Sequence, residues 1–211
     1  MKTPKVKICG ITREEDARTC LVAGAQWIGI NLYEPSPRSV SLLRAEELFK
    51  ALPLGMRVLV DVAPDLDKLE SCRLAGFDVF QLHFNLDLSA EIIRAWSELV
   101  GRKNLWLAPK LPPQEAFPVN LLEFSDTIVL DAYAKDAFGG TGRTGNWHLF
   151  KGLKLAHPDT NWVLAGGLKP DNLLEAVRST GAEIVDLNSG IETGPGIKDP
   201  VLLQSAFDVL L

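Results

Sequence analysis

Lys5-Val6-Lys7-Ile8-Cys9-Gly10-Ile11-Thr12, near the start of the chain, carries a cysteine to the end of a short apolar run and then turns at a glycine. The acidic residues Glu14-Glu15-Asp16 follow, where the positive end of a helix favours carboxylates. Because side chains alternate along a strand, Lys7 and Cys9 are expected to share one face. The segment therefore predicts a strand, a tight turn and a helix, with a thiol at the carboxyl end of the strand.

The same pattern of a strand followed by a helix recurs along the whole chain. Eight short apolar or β-branched runs predict strands near Lys5–Cys9, Trp27–Asn31, Arg57–Asp61, Val79–Leu82, Leu105–Ala108, Thr127–Leu130, Trp162–Ala165 and Ile184–Leu187. After the helix that contains Ala17 and Cys20, further amphipathic stretches predict helices at Leu42–Ala51, Asp65–Ala75, Ser89–Val100, Trp147–Ala156, Lys169–Ser179 and Pro200–Leu211. The segment between the fifth and sixth predicted strands differs from the others, because its prolines leave room for only a short helix around Gln114–Phe117, or for none.

Strands that alternate with helices predict a parallel sheet with right-handed crossovers. Eight such units in 211 residues fit one α/β domain, residues 1–211, folded as a (β/α)8 TIM barrel. An open doubly wound sheet is the alternative, but the first turn lacks the GxGxxG pattern of such sheets. The two longest loops, Leu32–Val40 and Ala132–Asn146, both follow a strand and are expected on the face where barrels hold their active sites.

Composition excludes several classes of protein. A net charge of −5 gives no basic surface for nucleic acid, and no apolar run approaches the length of a membrane span, so neither partner is expected. Cys9, Cys20 and Cys72 are an odd number of cysteines without a CxxC pair, which indicates neither a disulfide framework nor a zinc site. Cys20 and Cys72 lie on apolar helix faces and are predicted to be core residues. A reducing, cytoplasmic location is therefore expected.

Two glycine-bearing turns indicate a phosphate site. Ala165-Gly166-Gly167-Leu168 follows the seventh predicted strand and Asn188-Ser189-Gly190-Ile191 follows the eighth. Barrels often bind phosphate there, because glycines let backbone N–H groups face the anion. The alternative is that each glycine only forms a turn. Gly166, Gly167, Ser189 and Gly190 are the predicted phosphate-binding residues, together with Gly140 in the glycine-rich loop that is also a candidate lid.

Asp131 ends the sixth predicted strand and shares the active face with Cys9. A carboxyl and a thiol in one pocket form a possible acid–base pair, although each also fits a purely structural role. The following helix and Lys7 are expected to favour the thiolate of Cys9.

Arg38 follows two prolines, so it either points into solvent or clamps a planar carboxylate. Gln81, His83 and Asp186 are further candidate substrate contacts, as is Lys7, and His83 fits a structural position on the barrel rim equally well.

Together these stretches resemble the phosphoribosylanthranilate isomerase family over essentially the whole chain. The matching segments are Lys7-Ile8-Cys9-Gly10-Ile11-Thr12, Ser36-Pro37-Arg38, Gln81-Leu82-His83, Leu130-Asp131 with Gly139-Gly140-Thr141-Gly142, Ala165-Gly166-Gly167-Leu168, and Ser189-Gly190-Ile191-Glu192 with Pro195-Gly196-Ile197-Lys198-Asp199. The resemblance implies that Cys9 is a general base, that Asp131 is a general acid, and that Arg38 contacts the anthranilate carboxylate. It also implies that the loops around Gly167 and Ser189 hold phosphate.

The resemblance further implies the Amadori rearrangement of N-(5-phosphoribosyl)anthranilate in tryptophan biosynthesis. It implies no metal or organic cofactor, a phosphorylated small-molecule substrate, and a monomer or homodimer. Two other hypotheses stay open: a related sugar-phosphate isomerase such as that of histidine synthesis, and an inactive phosphate-binding barrel. The first is expected to have aspartate where Cys9 stands, and the second has no use for the pair of Cys9 and Asp131. Phe84, Asp61, Asn146 and Asn188 depart from the family pattern and leave the shape of the pocket open.

Overall fold

Eight parallel strands close into a barrel in a computed structural model that describes residues 3–131 and 146–211. The strands are β1 (Lys5–Ile8), β2 (Trp27–Asn31), β3 (Arg57–Val62), β4 (Val79–Asn85), β5 (Leu105–Lys110), β6 (Thr127–Leu130), β7 (Asn161–Leu164) and β8 (Ile184–Leu187). Each pairs with its neighbours in the chain, and β8 pairs with β1. The predicted (β/α)8 barrel is confirmed, and the open sheet is wrong because the first and last strands are joined.

Seven α-helices lie in the described part of the chain: α1 (Glu14–Ala23), α2 (Leu42–Phe49), α3 (Leu66–Ala75), α4 (Ala90–Val100), α5 (Trp147–Ala156), α6 (Pro170–Thr180) and α7 (Pro200–Asp208). Short polar side chains begin four of them: Ser41, Asp65, Asn146 and Asp199 each accept a hydrogen bond from a backbone N–H in the first turn. Such a cap stabilises a helix by about 1 kcal/mol, and asparagine caps as well as aspartate. Asn146 therefore keeps the capping function despite its departure from the family pattern. No helix in residues 3–131 or 146–211 is both long and apolar enough to cross a membrane.

No helix forms at Gln114–Phe117, which is one of the two outcomes that the sequence left open for this proline-rich segment. A 3₁₀ turn at Val119–Glu123 follows, because Pro118 sets the backbone just before it and the prolines remove N–H donors. After β8, a 3₁₀ turn at Ser189–Ile191 leads into an unpredicted hairpin of β9 (Glu192–Gly194) and β10 (Ile197–Lys198). This hairpin stands beside the loops that the sequence assigns to phosphate.

The core has two layers, which follow from the alternation of side chains along each strand. The layer between strands and helices includes Ile8, Ile28, Ile30, Leu59 and Leu82, all completely buried. The layer inside the barrel includes Val58, Val60, Val129 and Val163. Polar residues take over the inner face toward the carboxyl ends of several strands. That change of polarity defines the candidate site.

Candidate active site

Lys7 lies on the inner face of β1, and Cys9, directly after the strand, continues that face, as the alternation predicted. Lys7 Nζ donates to Asp186 Oδ2 at 2.6 Å, and both side chains are buried, at 0% and 6% exposure. The two residues are register partners on β1 and β8. A Cβ at Gly29 on β2 would lie 3.1 Å from both Cys9 Sγ and Lys7 Nζ, so this glycine provides the space beside them. The strand ends thus bring a thiol, an ammonium and a carboxylate together.

The protonation state of Cys9 differs from the prediction. Burial raises the pKa of the Cys9 thiol, and this effect outweighs the neighbouring cations Lys7 and Lys198, which lower it. The helix that was expected to stabilise the thiolate begins only at Glu14, and its first turn is acidic. The prediction that Cys9 is a thiolate in the free protein is therefore wrong, because the thiol form is favoured. Lys7 lies beside it and can stabilise the thiolate when the proton is removed. The pKa of Lys7 is raised, since Asp186 and Cys9 together outweigh the effect of burial.

Gln81 and His83 lie next to each other on β4, with Gln81 Nε2 2.9 Å from His83 Nε2. Burial, followed by the charge of Lys7, lowers the pKa of His83 to about 4, so the imidazole is neutral and accepts this hydrogen bond. Gln81 Oε1 and Asp186 Oδ1 are buried acceptors that find no hydrogen-bond donor in the described part of the chain. A buried acceptor without a donor costs about 1–3 kcal/mol, which a hydroxyl or N–H group of a substrate can recover.

Arg38 is buried, with 9% of its surface exposed, so the hypothesis of a solvent-facing guanidinium is wrong. Its loop is fixed by Ser36, whose hydroxyl accepts from the N–H of Arg38 and from the amide of Asn31, both at 3.2 Å. The guanidinium reaches Glu192 with Nε at 3.0 and 3.1 Å from the two carboxylate oxygens and Nη2 at 2.7 Å from Oε2. A Cβ at Gly10 would come within 2.6 Å of Arg38 Cδ, so Arg38 crosses the end of β1 next to Cys9.

Glu192, Lys198 and Asn188 were not predicted as site residues. Lys198 Nζ lies 2.8 Å from Glu192 Oε1, 3.0 Å from Asn188 Oδ1 and 3.4 Å from the Asn188 carbonyl oxygen. The side chains of Glu192 and Lys198 are only 3% and 1% exposed. For Glu192 and Lys198 the available signal was the segment from Glu192 to Asp199, which carried part of the family resemblance without being given a chemical role.

The two glycine turns adjoin each other. Gly166 and Gly167 have φ values of 90° and 62°, a conformation open to glycine, and Asn172 Nδ2 donates to the Gly167 carbonyl at 2.9 Å. A Cβ at Gly190 would clash with the Leu168 carbonyl oxygen, so the two loops touch at this point. The backbone N–H groups of Gly166, Gly167, Ser189 and Gly190 donate no hydrogen bond to a described residue. This is the arrangement of donors that a phosphate requires.

Asp131 directly follows β6, and by alternation with Val129 it lies on the inner side of that strand. Counted through β7 and β8, β6 lies three strands from β1, so Asp131 and Cys9 stand on different walls of the same barrel end. Gly140 and the predicted lid lie outside the described residues.

Two departures from the family pattern lie away from this pocket. Phe84 packs edge-on against Trp96 of α4, with ring centroids 6.0 Å apart, in the layer outside the barrel. Asp61 pairs with Lys68 of α3 at 2.7 Å. Neither side chain narrows the inner face of the strands. Cys20 and Cys72 are fully buried core residues as predicted, and burial raises their pKa values to about 12 and about 11.

No cluster of three or more metal-binding side chains occurs within residues 3–131 and 146–211.

Comparison with known proteins identifies the family. Residues 6–209 match the family model described as PRAI, N-(5'phosphoribosyl)anthranilate (PRA) isomerase. The chain is 37% identical over 199 residues to N-(5'-phosphoribosyl)anthranilate isomerase of Zymomonas mobilis, with 92% of each chain covered. It superimposes on the phosphoribosyl anthranilate isomerase of Thermus thermophilus with a TM-score of 0.81 and 29% identity over 98% of each chain. A further similar structure, with a TM-score of 0.76, 26% identity and 98% coverage of each chain, is a phosphoribosyl anthranilate isomerase in complex with reduced 1-(o-carboxyphenylamino)-1-deoxyribulose 5-phosphate. The buried thiol, the glycine turns and this similarity over nearly the full length agree: the chain belongs to the N-(5'-phosphoribosyl)anthranilate isomerase family.

Proposed function

We propose that the chain catalyses the Amadori rearrangement of N-(5-phosphoribosyl)anthranilate to 1-(2-carboxyphenylamino)-1-deoxyribulose 5-phosphate, a step of tryptophan biosynthesis. The observation that carries the proposal is a buried thiol beside a lysine at one strand end, on the same barrel face as Asp131 and the glycine turns. Membership of the isomerase family and a relative solved with a reduced product-like ligand support the same substrate class.

Asp131 acts as the general acid in this proposal. In its protonated form it donates a proton to the ring oxygen of the ribose, and the C1–O bond breaks as the anthranilate nitrogen forms an imine with C1. A positioned acid of this kind contributes roughly 10²–10⁴-fold to a rate. Asp131 and Cys9 stand on different walls of the barrel end, and in this proposal Asp131 protonates the ring oxygen while Cys9 faces C2.

Cys9 acts as the general base. Its thiolate takes the proton from C2, and the electron pair moves through the imine to nitrogen, which gives an enolamine. Tautomerisation then moves a proton to C1 and leaves the ketone at C2. The substrate's own imine accepts the electrons, so the proposal needs no cofactor. A thiol with a raised pKa is a stronger base when ionised, and Lys7 stabilises the ionised form.

The remaining groups bind the two ends of the substrate. Free N–H groups in the two glycine turns hold the phosphate, and Arg38 holds the anthranilate carboxylate with charge-assisted hydrogen bonds. The unpaired acceptors Gln81 Oε1 and Asp186 Oδ1 accept hydrogen bonds from sugar hydroxyls between these ends. His83, as a neutral imidazole, holds the Gln81 amide in place.

The test is the decay of anthranilate-type fluorescence when purified protein is mixed with freshly made N-(5-phosphoribosyl)anthranilate. Cys9→Ala and Asp131→Asn should each lower kcat by at least about 10²-fold without loss of the folded state. Cys72→Ala is the matched control, because it removes a buried thiol far from the pocket and should leave kcat unchanged. Near-normal kcat in either active-site variant would remove that residue from the mechanism, and an inactive wild-type protein would contradict the proposal as a whole.

A further inference from the structure

The segment from Glu192 to Asp199, which follows the second phosphate turn, has no role in the chemistry proposed above, although it is one of the most distinctive in the sequence. Its backbone forms the β9–β10 hairpin, which Thr12 fixes by donating from its hydroxyl to the Gly196 carbonyl at 2.7 Å. The hairpin sends two charged side chains, Glu192 and Lys198, into the interior. Burial of two charges is costly unless they serve as partners for one another and for a third group. That third group is Arg38.

The contact between Glu192 and Arg38 uses only one edge of the guanidinium. Glu192 takes Nε and one hydrogen of Nη2, which form the lateral edge. A guanidinium has five N–H donors, so three remain, and two of these, one on Nη1 and one on Nη2, form the terminal edge. No described residue accepts a hydrogen bond from Nη1. A planar carboxylate can therefore bind the terminal edge bidentately while Glu192 holds the lateral edge.

Lys198 adds a positive charge to the cluster formed by Arg38, Glu192 and Lys198. An Arg38–Glu192 pair alone is neutral and has little attraction for an anion. Lys198 Nζ contacts three acceptors, as an ammonium group with three donors does, and one of them is Glu192 Oε1. Burial raises the pKa of Glu192, but the hydrogen bonds from Arg38 and the charge of Lys198 together outweigh burial and lower it, so the carboxylate is ionised. Burial lowers the pKa of Lys198 and the contact with Glu192 opposes this effect. With Lys198 as an ammonium group, two cations and one anion leave one net positive charge.

We propose that Glu192 and Lys198 are positioning residues for Arg38 and set the preference of the site for a substrate that carries an aromatic carboxylate. Glu192 fixes the guanidinium so that its terminal edge stays available, and Lys198 neutralises Glu192 so that the cluster keeps its positive charge. This inference rests on the proposed function, in which Arg38 binds the anthranilate carboxylate.

The test compares two ligands that differ by one group: the reduced product analogue with its carboxylate and the same compound with a phenyl ring in place of the carboxyphenyl ring. Dissociation constants for both are measured by calorimetry with wild-type protein, Arg38→Ala, Glu192→Gln, Lys198→Met and the double variant Arg38→Ala/Glu192→Gln. The wild type should bind the carboxylated ligand at least about tenfold more tightly, as expected for charge-assisted hydrogen bonds. Glu192→Gln and Lys198→Met should each reduce this preference at least about fivefold, with little change for the phenyl ligand.

The double variant should show the same ratio as Arg38→Ala, because Glu192 acts through Arg38 and its effect is then already lost. Glu70→Gln is the matched control: it breaks an exposed pair with Arg73 and should leave both constants unchanged. If Arg38→Ala keeps the preference, the proposed role of Arg38 fails. If Arg38→Ala abolishes the preference but Glu192→Gln and Lys198→Met do not reduce it, the positioning inference is wrong and the proposed function stands. If Glu192→Gln and Lys198→Met weaken the binding of both ligands equally, the two residues have a purely structural role, and the inference is also overturned.

Discussion

Gly190→Ala should weaken phosphate binding through a collision between two backbone loops. The added Cβ would overlap the Leu168 carbonyl oxygen and lie 2.8 Å from Lys169 Cβ. Carbon atoms pack at about 3.5 Å or more, so the loops must separate by at least about 0.7 Å. Binding sites tolerate displacements of only about 0.5 Å, so the N–H groups of one loop no longer point at an anion held by the other. We expect overpacking to cost about 1–3 kcal/mol of stability as well.

The loss of one charge-assisted hydrogen bond corresponds to about 1.5–3 kcal/mol, or at least about tenfold in the dissociation constant of inorganic phosphate. Urea unfolding with and without inorganic phosphate measures this, because a ligand that binds only the folded state raises the free energy of unfolding by RT ln(1 + [L]/Kd). Wild-type protein should gain stability with phosphate, and Gly190→Ala should lose most of that gain.

Gly152→Ala is the control. Gly152 lies within α5 with open space around its Cα, so alanine should add about 1 kcal/mol of helix stability and leave the phosphate effect unchanged. If Gly190→Ala retains both the full stabilisation by phosphate and a normal KM, the loops do not form the phosphate site.

Three further predictions concern the inner and outer faces of the strands. Iodoacetamide should label Cys9 slowly at neutral pH and faster at alkaline pH, because burial raises the pKa of the thiol and only the thiolate reacts. Peptide mapping at a series of pH values measures the labelling rate, and rapid labelling at pH 7 would contradict the prediction. Lys7→Met should destabilise the fold by about 3–5 kcal/mol by leaving Asp186 buried without its cation, and adding Asp186→Asn should restore stability in urea but not kcat. Phe84→Ala should lower the free energy of unfolding by about 3–5 kcal/mol with KM unchanged, because Phe84 packs on Trp96 outside the barrel; a large rise in KM would show that it reaches the pocket.

The sequence predicts what depends on local periodicity. Alternation along β1 is sufficient to pair Lys7 with Cys9 on the inner face, and the order of the strands locates both glycine turns beside each other. The predicted end of β4 at Leu82 is too early, because His83 and Phe84 continue the strand with one polar side chain inward and one apolar side chain outward. Because inward-facing residues at the end of this strand are polar, the continuous apolar run that identifies a buried strand stops before the strand does.

Contacts between distant segments could not be predicted. Arg38 and Glu192 are 154 positions apart, and nothing near either residue indicates the other. The prediction of a thiolate at Cys9 failed for a related reason. Sequence locates the charged neighbour and the following helix, but the loss of water around Sγ depends on packing from several strands at once.

The pairing of Lys7 with Asp186 joins the last strand of the ring to the first across 179 positions of sequence. A ribosome must therefore synthesise the chain as far as β8 before the surroundings of Cys9 can exist, and the long separation makes this closure a late step of folding. Until then, β1 has no partner strand on the side of β8, and Lys7 and Cys9 are exposed to water. Enzyme activity in this protein therefore depends on closure of the ring, and a chain that stops before Ile184 lacks the strand that supplies Asp186 and should be inactive.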